Sequence, residues 1–514
     1  MQSDTLNLLV LTDLHHAPCS GATFHASGHE RIAGPLLVRK ALQRMRHEGT
    51  TPDAIVLLGD VAGRGLDAAQ TDEALRAVAQ ETSRFGLPVF AVPGNHDGDP
   101  GRYAALFDCR PGLHVIKGCG LLLFADAYAA DERVCRADDA LRLPEKAAAE
   151  YPGMPLIALQ PNPLHPAIED PYPYLPLNAD AIRAGYERAG VLLSLSGHFH
   201  AGQPLHTVGG VQYCTLRSTS EPPYSFLHVR IAGGKAVVRE HALRMETPGL
   251  VDVHCHTEYS YCATDVSAAA GAALSRALGL GGVCLVDHAF QLYFPPDDAW
   301  SWRWQTDGAL VEGAWKSGRG RMPEYVRRAA SLRSDFVSVG LEVDLRSDGS
   351  LLLADEDRAG WDVIIGAVHA IDGSTKAGNT QAEAERLYMR EAERLLAHPI
   401  GVFAHPFRFL HRPGFTRPEH LFVPLADMLA EAGVAAEINY HVQEADVGFV
   451  ETCLQRGVKL ALGTDAHDAV AVGELAPHLA LLRRAGVRAA DLERVLFRPA
   501  GDSARCGMAA PKRG

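Results

Sequence analysis

The chain has 514 residues, of which 47% are hydrophobic and 22% are charged, as in ordinary globular proteins. This length is too great for a single hydrophobic core and predicts two or three domains. Its formal net charge of −13 disfavours a large nucleic-acid footprint, and no apolar run reaches the roughly 18–20 residues that cross a bilayer. The ten cysteines lack paired spacing and no secretory signal pattern is present, so we expect a cytoplasmic protein without a membrane contact.

In the first half, predicted strands alternate with predicted helices, and each strand leads to polar side chains. Strands are predicted over residues 8–11, 54–58, 88–92, 155–159 and 191–195, and helices over 29–47, 72–85 and 181–189. Residues 208–244 predict short antiparallel strands that close the domain. The polar residues that follow the five strands are, in order, Asp13 and His15, Asp60, Asn95 to Asp97, His165, and His198 and His200.

A Pro-Gly break at residues 246–249 marks a predicted domain boundary, which gives domains over 1–246 and 249–500 and a tail over 501–514. Seven strands are predicted in the second half, over residues 250–253, 282–286, 337–341, 363–366, 400–404, 435–438 and 459–462. Their ends lead to His254, His256, His288, Glu342, His369, His405, Asp465 and His467. A parallel series with ligands at the carboxyl ends is typical of a barrel with its site on one face. Residues 294–315 hold four of the five tryptophans and predict an ordered excursion from that barrel.

The first set of polar residues indicates a metal site with two ions. Carboxylate, imidazole and amide ligands suit hard or borderline divalent cations such as manganese, iron and zinc. One carboxylate shared between two ions would polarise a phosphoryl oxygen and lower the pKa of a bound water. Any single residue of the set could instead be a loop or capping residue, and His165 is the residue for which this alternative matters most. The seven residues are Asp13, His15, Asp60, Asn95, His165, His198 and His200.

The motifs Asp-x-His, Gly-Asp, Gly-Asn-His-Asp and Gly-His-x-His, in this order, resemble the calcineurin-like metallophosphoesterases over about residues 5–245. The spacing is most similar to their bacterial cyclic-nucleotide and glycerophosphodiester phosphodiesterase branch. The resemblance implies a β-sandwich flanked by helices, with Asp60 bridging the two ions. It implies that Asp13, His15 and His200 bind one ion and that Asn95, His165 and His198 bind the other. It also implies that His96 contacts the phosphate and assists the leaving oxygen, oriented by Asp97. Residues 160–165 depart from the family's His-His-Pro run, so His165 is the least secure ligand.

The second set holds six imidazoles and two carboxylates, more than one zinc-like ion needs, and implies two or three ions. The motifs His-x-His-Thr, Asp-His, Gly-Leu-Glu, Val-His, Ala-His-Pro and Gly-Thr-Asp-Ala-His resemble the PHP (polymerase and histidinol phosphatase) phosphoesterases over about residues 249–498. The resemblance implies a distorted barrel of seven β/α units in which Glu342 bridges two ions. Zinc, manganese and iron are the expected metals. The overall fold class expected for the chain is therefore α/β.

Two residues of the second half, Cys262 and Arg408, have two interpretations each. Cys262 stands where some PHP members carry a further histidine ligand, so it is either a thiolate ligand or a small buried hydrophobe. Asp265 is a substitute for it. Arg408 follows His405 by three residues. It is either a catalytic residue whose guanidinium binds the substrate phosphate through two hydrogen bonds, or a surface arginine.

These observations predict a metal-dependent phosphoric ester hydrolase with two independent sites. In both, a metal-activated hydroxide attacks phosphorus. The first site is expected to take a diester, cyclic ester or monoester, and the second a phosphomonoester. The partner is a small-molecule phosphoester, and the oligomeric state is left open. Two alternatives remain, a nuclease that processes DNA or RNA, and a chain in which one domain is catalytic and the other a regulatory or binding module.

Overall fold

The computed structural model describes residues 5–18, 22–26, 29–129, 132–168, 172, 174–374, 380–442 and 445–499. The chain divides into two units, Met1–Arg244 and Met245–Gly514, next to the Pro-Gly break on which the predicted boundary rests. The predicted tail, residues 501–514, lies outside the described residues. Within the described part, none of the helices combines the length and apolarity that a membrane crossing requires.

The first unit alternates strands and helices in its first part and is mainly strands toward its end. Its described strands are β1 Leu6–Leu11, β2 Thr23–Ala26, β3 His29–Ile32, β4 Ala54–Leu58, β5 Val89–Val92, β6 Gly112–Ile116, β7 Cys119–Leu123, β8 Ala127–Tyr128, β9 Val134–Cys135, β10 Leu156–Leu159, β11 Leu193–Ser196, β12 Gln203–Val208, β13 Val211–Thr215, β14 Ser225–Ala232 and β15 Lys235–Ala242. Its described helices are α1 Gly34–His47, α2 Ala68–Ser83, α3 Pro100–Leu106, α4 Asp138–Leu141, α5 Leu143–Glu150 and α6 Ala179–Ala189.

These strands form two larger sheets and two short ribbons. One sheet has the order β15-β14-β1-β4-β5 and the other β12-β13-β11-β10-β7-β6, while β2-β3 and β8-β9 are two-stranded. The strands β1, β4 and β5 run parallel, as do β7, β10, β11 and β13. The buried residues of β1, β4, β10 and β11 are nearly all apolar, so both sheets contribute to the hydrophobic core. The carboxyl ends of β1, β4, β5 and β11 lead to six of the seven residues of the first set, and His165 follows β10.

The first predicted helix, residues 29–47, is too long at its amino end. Residues 29–32 form β3, which pairs antiparallel with β2, and α1 begins at Gly34 with Pro35 in its first turn. Proline suits that position because its fixed φ is helical and its missing N–H has no partner there. The apolar spacing of residues 32–45 predicted the helix correctly from that point onward.

The second unit is a series of seven parallel strands with helices between them. The strands are β16 Val251–Cys255, β17 Gly282–His288, β18 Val337–Val343, β19 Val363–Gly366, β20 Val402–Phe403, β21 Ala435–Asn439 and β22 Leu460–Gly463. The described α-helices are α7 Ala268–Ala277, α8 Ala289–Tyr293, α9 Pro296–Trp300, α10 Gly308–Lys316, α11 Met322–Leu332, α12 Gln381–Leu396, α13 Phe422–Ala432, α14 Val447–Gln455, α15 Ala476–Arg484 and α16 Leu492–Val495. Short 3₁₀ turns span Arg303–Gln305, Asp355–Asp357, Arg408–Leu410, Glu419–Leu421 and Ala489–Asp491.

The seven strands lie in sequence order, β16 to β22, and the sheet curves until its two ends meet. A parallel bridge joins Cys255 to Ala466, and the Asp465 amide donates to the carbonyl of His254 at 2.7 Å. The interior is filled by small and branched residues of the strands, such as Val253, Val286 and Ile365. The α/β class and the seven-stranded, nearly closed barrel are thereby confirmed. The carboxyl ends of all seven strands open onto one face.

Candidate metal centres

The first candidate centre lies where β1, β4 and β11 end, and its backbone is unusual there. Asp13, His15, Asp60 and His198 all have left-handed φ values, of 49°, 42°, 49° and 65°. Residues with side chains adopt this conformation at a cost and retain it mainly at functional sites. Gly94 is required beside them, because a Cβ there would collide with the Asp60 carboxylate. The strand ends are thus shaped to turn four polar side chains toward one point.

The first ligand group consists of Asp13, His15 and His200, whose ligand atoms lie within 4.8 Å of one another. The Nε2 atoms of His15 and His200 are 3.0 Å apart, and Asp13 Oδ1 lies 3.8 Å and 3.5 Å from them. These last distances exceed those of good N–H···O bonds, and the buried Asp13 Oδ1 has no hydrogen-bond partner. Glu221 Oε1 lies 3.0 Å from Nδ1 of His200, which leaves Nε2 for a ligand.

Asp60 joins this group to a second one with His198 and Asn95. The His198 Nδ1 is 2.7 Å from Asp60 Oδ2, and Asp13, Asp60 and His198 again lie within 4.8 Å. The Asn95 amide oxygen faces the two Asp60 carboxylate oxygens at 3.2 Å and 3.0 Å. An amide oxygen and a carboxylate repel each other at this distance. Either the Asn95 amide is rotated so that its NH₂ group faces Asp60, or a cation lies between the two side chains. The unpaired Asp13 oxygen nearby makes a cation the better explanation, and the donor set fits divalent ions.

His165 is not brought to this centre. Among the described residues it belongs to none of the groups whose ligand atoms lie within 4.8 Å of one another. Its Nδ1 lies 3.3 Å from the Arg183 guanidinium, and its ring packs against Tyr213 and His206. Two prolines, Pro161 and Pro163, separate it from the end of β10 and carry the chain away.

The place at the end of β10 is filled by a different set of side chains. The fully buried Arg136 donates from Nε to Asp126 at 2.8 Å, from Nη1 to the Tyr186 hydroxyl at 2.6 Å and from Nη2 to Gln160 Oε1 at 3.2 Å. The Asn162 amide donates to the Tyr128 hydroxyl at 3.0 Å. The side chains at the end of β10 thus bind one another. The position expected for the second ion of the first centre retains three of its four expected ligands, Asp60, Asn95 and His198.

His96 and Asp97 lie beside the first centre, and no hydrogen bond joins their side chains. His96 is partly exposed, its amide donates to Asp60 Oδ1 at 3.1 Å, and its ring centroid is 5.4 Å from that of His15. The buried Asp97 accepts from the amides of Ala62 and Gly94, both at 2.8 Å. Burial and the neighbouring Asp60 charge raise the pKa of Asp97 to about 7. Asp97 therefore fixes the loop rather than the His96 ring.

The second candidate centre is built around Glu342, which ends β18 and is only 1% exposed. Burial favours its neutral form, yet His288, His369 and His254 hold the pKa of Glu342 well below its usual range. Five imidazole nitrogens surround its two oxygens. They are His288 Nδ1 at 2.6 Å, His254 Nε2 at 3.4 Å and His256 Nε2 at 3.6 Å from Oε2, and His405 Nε2 at 3.0 Å and His369 Nε2 at 3.4 Å from Oε1.

Asp465 and His467 complete the predicted set from the end of β22. Asp465 Oδ1 lies 3.0 Å from His256 Nε2, and His467 directs Nδ1 to the Asp465 carbonyl at 2.7 Å, leaving Nε2 for a ligand. The ligand atoms of His256, His288 and His467 also lie within 4.8 Å of one another. All eight predicted residues of the second half therefore converge, in overlapping groups that suit more than one ion.

The Cys262 thiol lies beside the last of these groups. Its hydrogen-bond partner is Gln291, whose Nε2 donates to Sγ at 3.4 Å. Burial opposes ionisation, but the neighbouring imidazoles of His288 and His467 lower the pKa of Cys262 to about 6. Asp265 instead accepts from the Ala469 amide at 2.7 Å.

Arg408 reaches the centre and binds protein groups there. Its Nη2 donates to Asp465 Oδ2 and to Asn439 Oδ1, both at 2.7 Å, while its buried Nε has no partner. Burial favours the neutral acid, but Arg408 and His254 hold the pKa of Asp465 well below its usual range. Arg408 is therefore a partly buried site residue that positions Asp465.

The sequence analysis missed the acidic residues that orient the imidazoles. Glu437 Oε1 lies 2.8 Å from His254 Nδ1, and Asp344 Oδ1 lies 3.0 Å from His369 Nδ1. Ser260 connects His256 Nδ1, at 3.0 Å, to Asp287, at 2.6 Å. A carboxylate on the second ring nitrogen fixes the tautomer of a metal-binding histidine. The available signal was a charged residue inside an otherwise apolar strand, most clearly in Ala435–Asn439.

Glu437→Gln should weaken metal binding at the second centre by about 10–100-fold, because the amide holds the His254 tautomer less firmly. Competition with a chelator, followed by metal analysis, measures this. Glu391→Gln is the matched control, since Glu391 is also buried but pairs with Arg394 on α12. Equal metal retention in Glu437→Gln and in the control would show that Glu437 does not orient a ligand.

Comparison with known families agrees with the two centres. Residues 6–202 match the family model of the calcineurin-like phosphoesterases, and residues 252–441 match that of the PHP domain. The two matches stand in the predicted order, the calcineurin-like phosphoesterases in the first half of the chain and the PHP domain in the second. Both are families of metal-dependent phosphoesterases, which makes the chain a metal-dependent phosphoester hydrolase at the level of its families.

Similar solved structures include a dimetal phosphatase of Danio rerio, with 17% identity and a TM-score of 0.37, covering 46% of this chain and 96% of that one. The protein TT1561 of Thermus thermophilus has 15% identity and a TM-score of 0.31, covering 46% of this chain and 98% of that one. Likenesses at these values carry no argument about function. Comparison with curated proteins gives no match.

Proposed function

We propose that the chain hydrolyses phosphoesters at two independent centres, a diester, cyclic ester or monoester at the first and a phosphomonoester at the second. One observation carries the proposal. Each unit gathers its own buried carboxylates and imidazoles. Three buried atoms among them, Asp13 Oδ1, Glu342 Oε2 and His288 Nδ1, make no hydrogen bond of good geometry, although the last two lie 2.6 Å apart. Buried acceptors without partners are costly unless a cation satisfies them. The chain has a formal net charge of −13, whereas a nuclease needs a basic surface to bind the phosphate backbone. This charge counts against the nuclease alternative.

At the first centre, two manganese, iron or zinc ions fit the donors, one on Asp13, His15 and His200 and one on Asn95 and His198, with Asp60 shared. Two or three zinc, manganese or iron ions fit the second centre, where Glu342 is shared. Bound there, such ions would polarise a phosphoryl oxygen and lower the pKa of a water ligand. The residues of the chain hold the ions, orient the ester and move protons. We also propose a reducing compartment such as the cytoplasm, because the ten cysteines lack paired spacing.

His96 is the residue placed to act on the ester itself. It is partly exposed beside His15, and its ring has no described contact with a carboxylate, so it can donate a proton to the leaving oxygen. His96→Ala should lower turnover at the first centre by about 10²–10⁴-fold while all metal is retained. Rate assays paired with metal analysis test this, with the exposed His206→Ala as control. A lost ion in His96→Ala would make it a ligand instead.

Cys262 is proposed as the group that completes a third ion position with His288 and His467. Thiolate would favour zinc over manganese at that position. Cys262→Ser should remove about one zinc ion per chain, or shift the metal preference toward manganese, without unfolding the barrel. Metal analysis after growth with each metal measures this, with the exposed Cys135→Ser as control. Unchanged zinc content and preference in Cys262→Ser would leave the thiol a packing residue.

The test of the whole proposal is a substrate panel with the bound metals measured. Cyclic nucleotides, glycerophosphodiesters, phosphomonoesters and short oligonucleotides are offered to the metal-loaded chain. We expect hydrolysis of at least one small diester and one small monoester. Cleavage of oligonucleotides alone would favour the nuclease, and turnover by only one centre would favour a chain with one regulatory domain.

A further inference from the structure

The tryptophan-rich excursion of the second unit has no part in the metal centre proposed above, yet it lies beside it. Residues 294–315 contain α9, the Arg303–Gln305 turn and most of α10. The excursion follows α8, which begins directly after the ligand residue His288. Its Trp302 ring lies beside the imidazole of His369, and Phe290 of α8 lies beside that of His288.

The excursion is firmly anchored at its middle. The Trp304 side chain is 0% exposed, and its indole N–H donates to the carbonyl of Ala299 at 3.1 Å. The buried Gln305 donates to the carbonyls of Leu345 and Ala370, at 3.2 Å and 2.8 Å, and accepts from the Gly373 amide at 2.7 Å. These bonds tie the excursion to the loops that follow β18 and β19. Its position is therefore fixed rather than variable.

Two indoles next to these anchors, Trp300 and Trp302, remain accessible and form what we call the tryptophan ledge. The buried Phe290, 1% exposed, packs against both of them from inside the fold. Trp300 is 45% exposed, and Trp302 is partly exposed with a left-handed φ of 58°. The ring centroid of Trp302 lies 6.2 Å from that of His369, and that of Phe290 lies 5.1 Å from His288. A strained backbone that holds a large apolar ring partly in solvent destabilises the fold, and such positions cluster at functional sites.

We propose that the tryptophan ledge binds a planar aromatic leaving group, so that the second centre prefers nucleoside monophosphates and aryl phosphates to sugar or glycerol phosphates. The inference rests on the phosphomonoesterase activity proposed for that centre. The Trp302 ring packs beside the His369 imidazole, and Trp302 and Trp300 keep part of their surface in solvent. An aromatic group attached to a phosphate at the ligand cluster would therefore meet the exposed surface of the ledge. Stacking of this kind is worth roughly tenfold to a hundredfold in binding.

The test uses the full chain carrying Asp60→Asn, so that the first centre is silent. Trp302→Leu and Trp300→Leu are compared with Trp315→Leu, whose indole packs on Tyr293 in the same excursion but outside the ledge. The exposed Trp300 gives a variant that should fold even if Trp302→Leu does not. We expect kcat/KM for adenosine 5′-monophosphate and 4-nitrophenyl phosphate to fall about tenfold to a hundredfold in both ledge variants. We expect kcat/KM for glycerol 3-phosphate and the metal content to stay unchanged.

A second readout does not depend on turnover. Adenosine 5′-monophosphate should quench the tryptophan fluorescence of the chain and of Trp315→Leu, with weaker quenching and weaker apparent binding in the ledge variants. Equal losses for aromatic and aliphatic esters, or unchanged preference and quenching, would overturn the inference while leaving the phosphatase intact. A chain that hydrolyses no monoester but still shows ledge-dependent quenching would overturn the proposed activity instead.

Discussion

Asp60→Asn should abolish hydrolysis at the first centre, with a loss of more than about a hundredfold, while the unit stays folded. Even a residue that only supports a ligand changes activity about 10–100-fold, and Asp60 is placed as a ligand of both ions. It is 1% exposed, and its Oδ2 lies 2.7 Å from His198. Burial raises the pKa of Asp60, but His198 lowers it more, to about 2, so the group is an anion. An amide carries no charge and offers one oxygen.

Metal analysis, circular dichroism and a diesterase assay check this result. Asp53→Asn is the matched control, since Asp53 is a partly buried carboxylate of the same unit that pairs with Lys117. The ion on Asn95 and His198 should be lost first, because that position lacks a histidine from the end of β10. Substantial diester hydrolysis by Asp60→Asn would remove the two-ion assignment.

Glu342→Gln should have the largest effect in the second unit, a loss of monoester hydrolysis and of metal that exceeds about a hundredfold. Its two oxygens face five imidazoles, and the Glu342 side chain supplies negative charge at the middle of the cluster. Without that charge, the remaining carboxylate of the cluster, Asp465, cannot balance two or three dications, and each ion loses a shared ligand.

The matched control is Glu385→Gln, a buried glutamate on α12 that bonds Gln381 and His420 away from the cluster. It should keep both activities and all metal. Full monoesterase activity in Glu342→Gln, with the metal content of the unaltered chain, would show that the cluster around Glu342 is not the reaction centre.

Most of both centres could be anticipated because their ligands follow strands directly. Parallel strands of one sheet present their carboxyl ends along one edge, so Asp13 and Asp60 had to meet, as did the ends of β16 to β22. His198 follows β11 of the other sheet, so this rule alone does not bring it to them. The same rule failed for His165, since two prolines lie between it and the end of β10. The ion pair of Arg136 and Asp126 lies at the end of β10 instead. These two residues are 24 and 34 positions before Gln160, so the sequence around His165 gives no sign of them.

The supporting acids were harder to recognise for a related reason. Glu437 lies within a strand, and the function of a charged side chain there cannot be assigned before its partner is known. Its partners, the His254 ring and the His405 amide, come from strands far away in sequence. Gly463 gives a local hint, because a Cβ there would collide with Glu437. Similarly, the hairpin of β2 and β3 shortened the predicted first helix because strand pairing outweighed the local helical pattern.

The independence of the two centres is tested most directly in the full chain with Asp60→Asn, Glu342→Gln and the double variant, each assayed against the same diester and monoester. We predict that Asp60→Asn loses the diesterase activity and keeps the monoesterase activity assigned to the second centre. We predict the reverse for Glu342→Gln, and loss of both activities in the double variant. If either single variant removed both activities, or if the double variant retained one of them, the assignment of two independent metal-dependent centres would be contradicted.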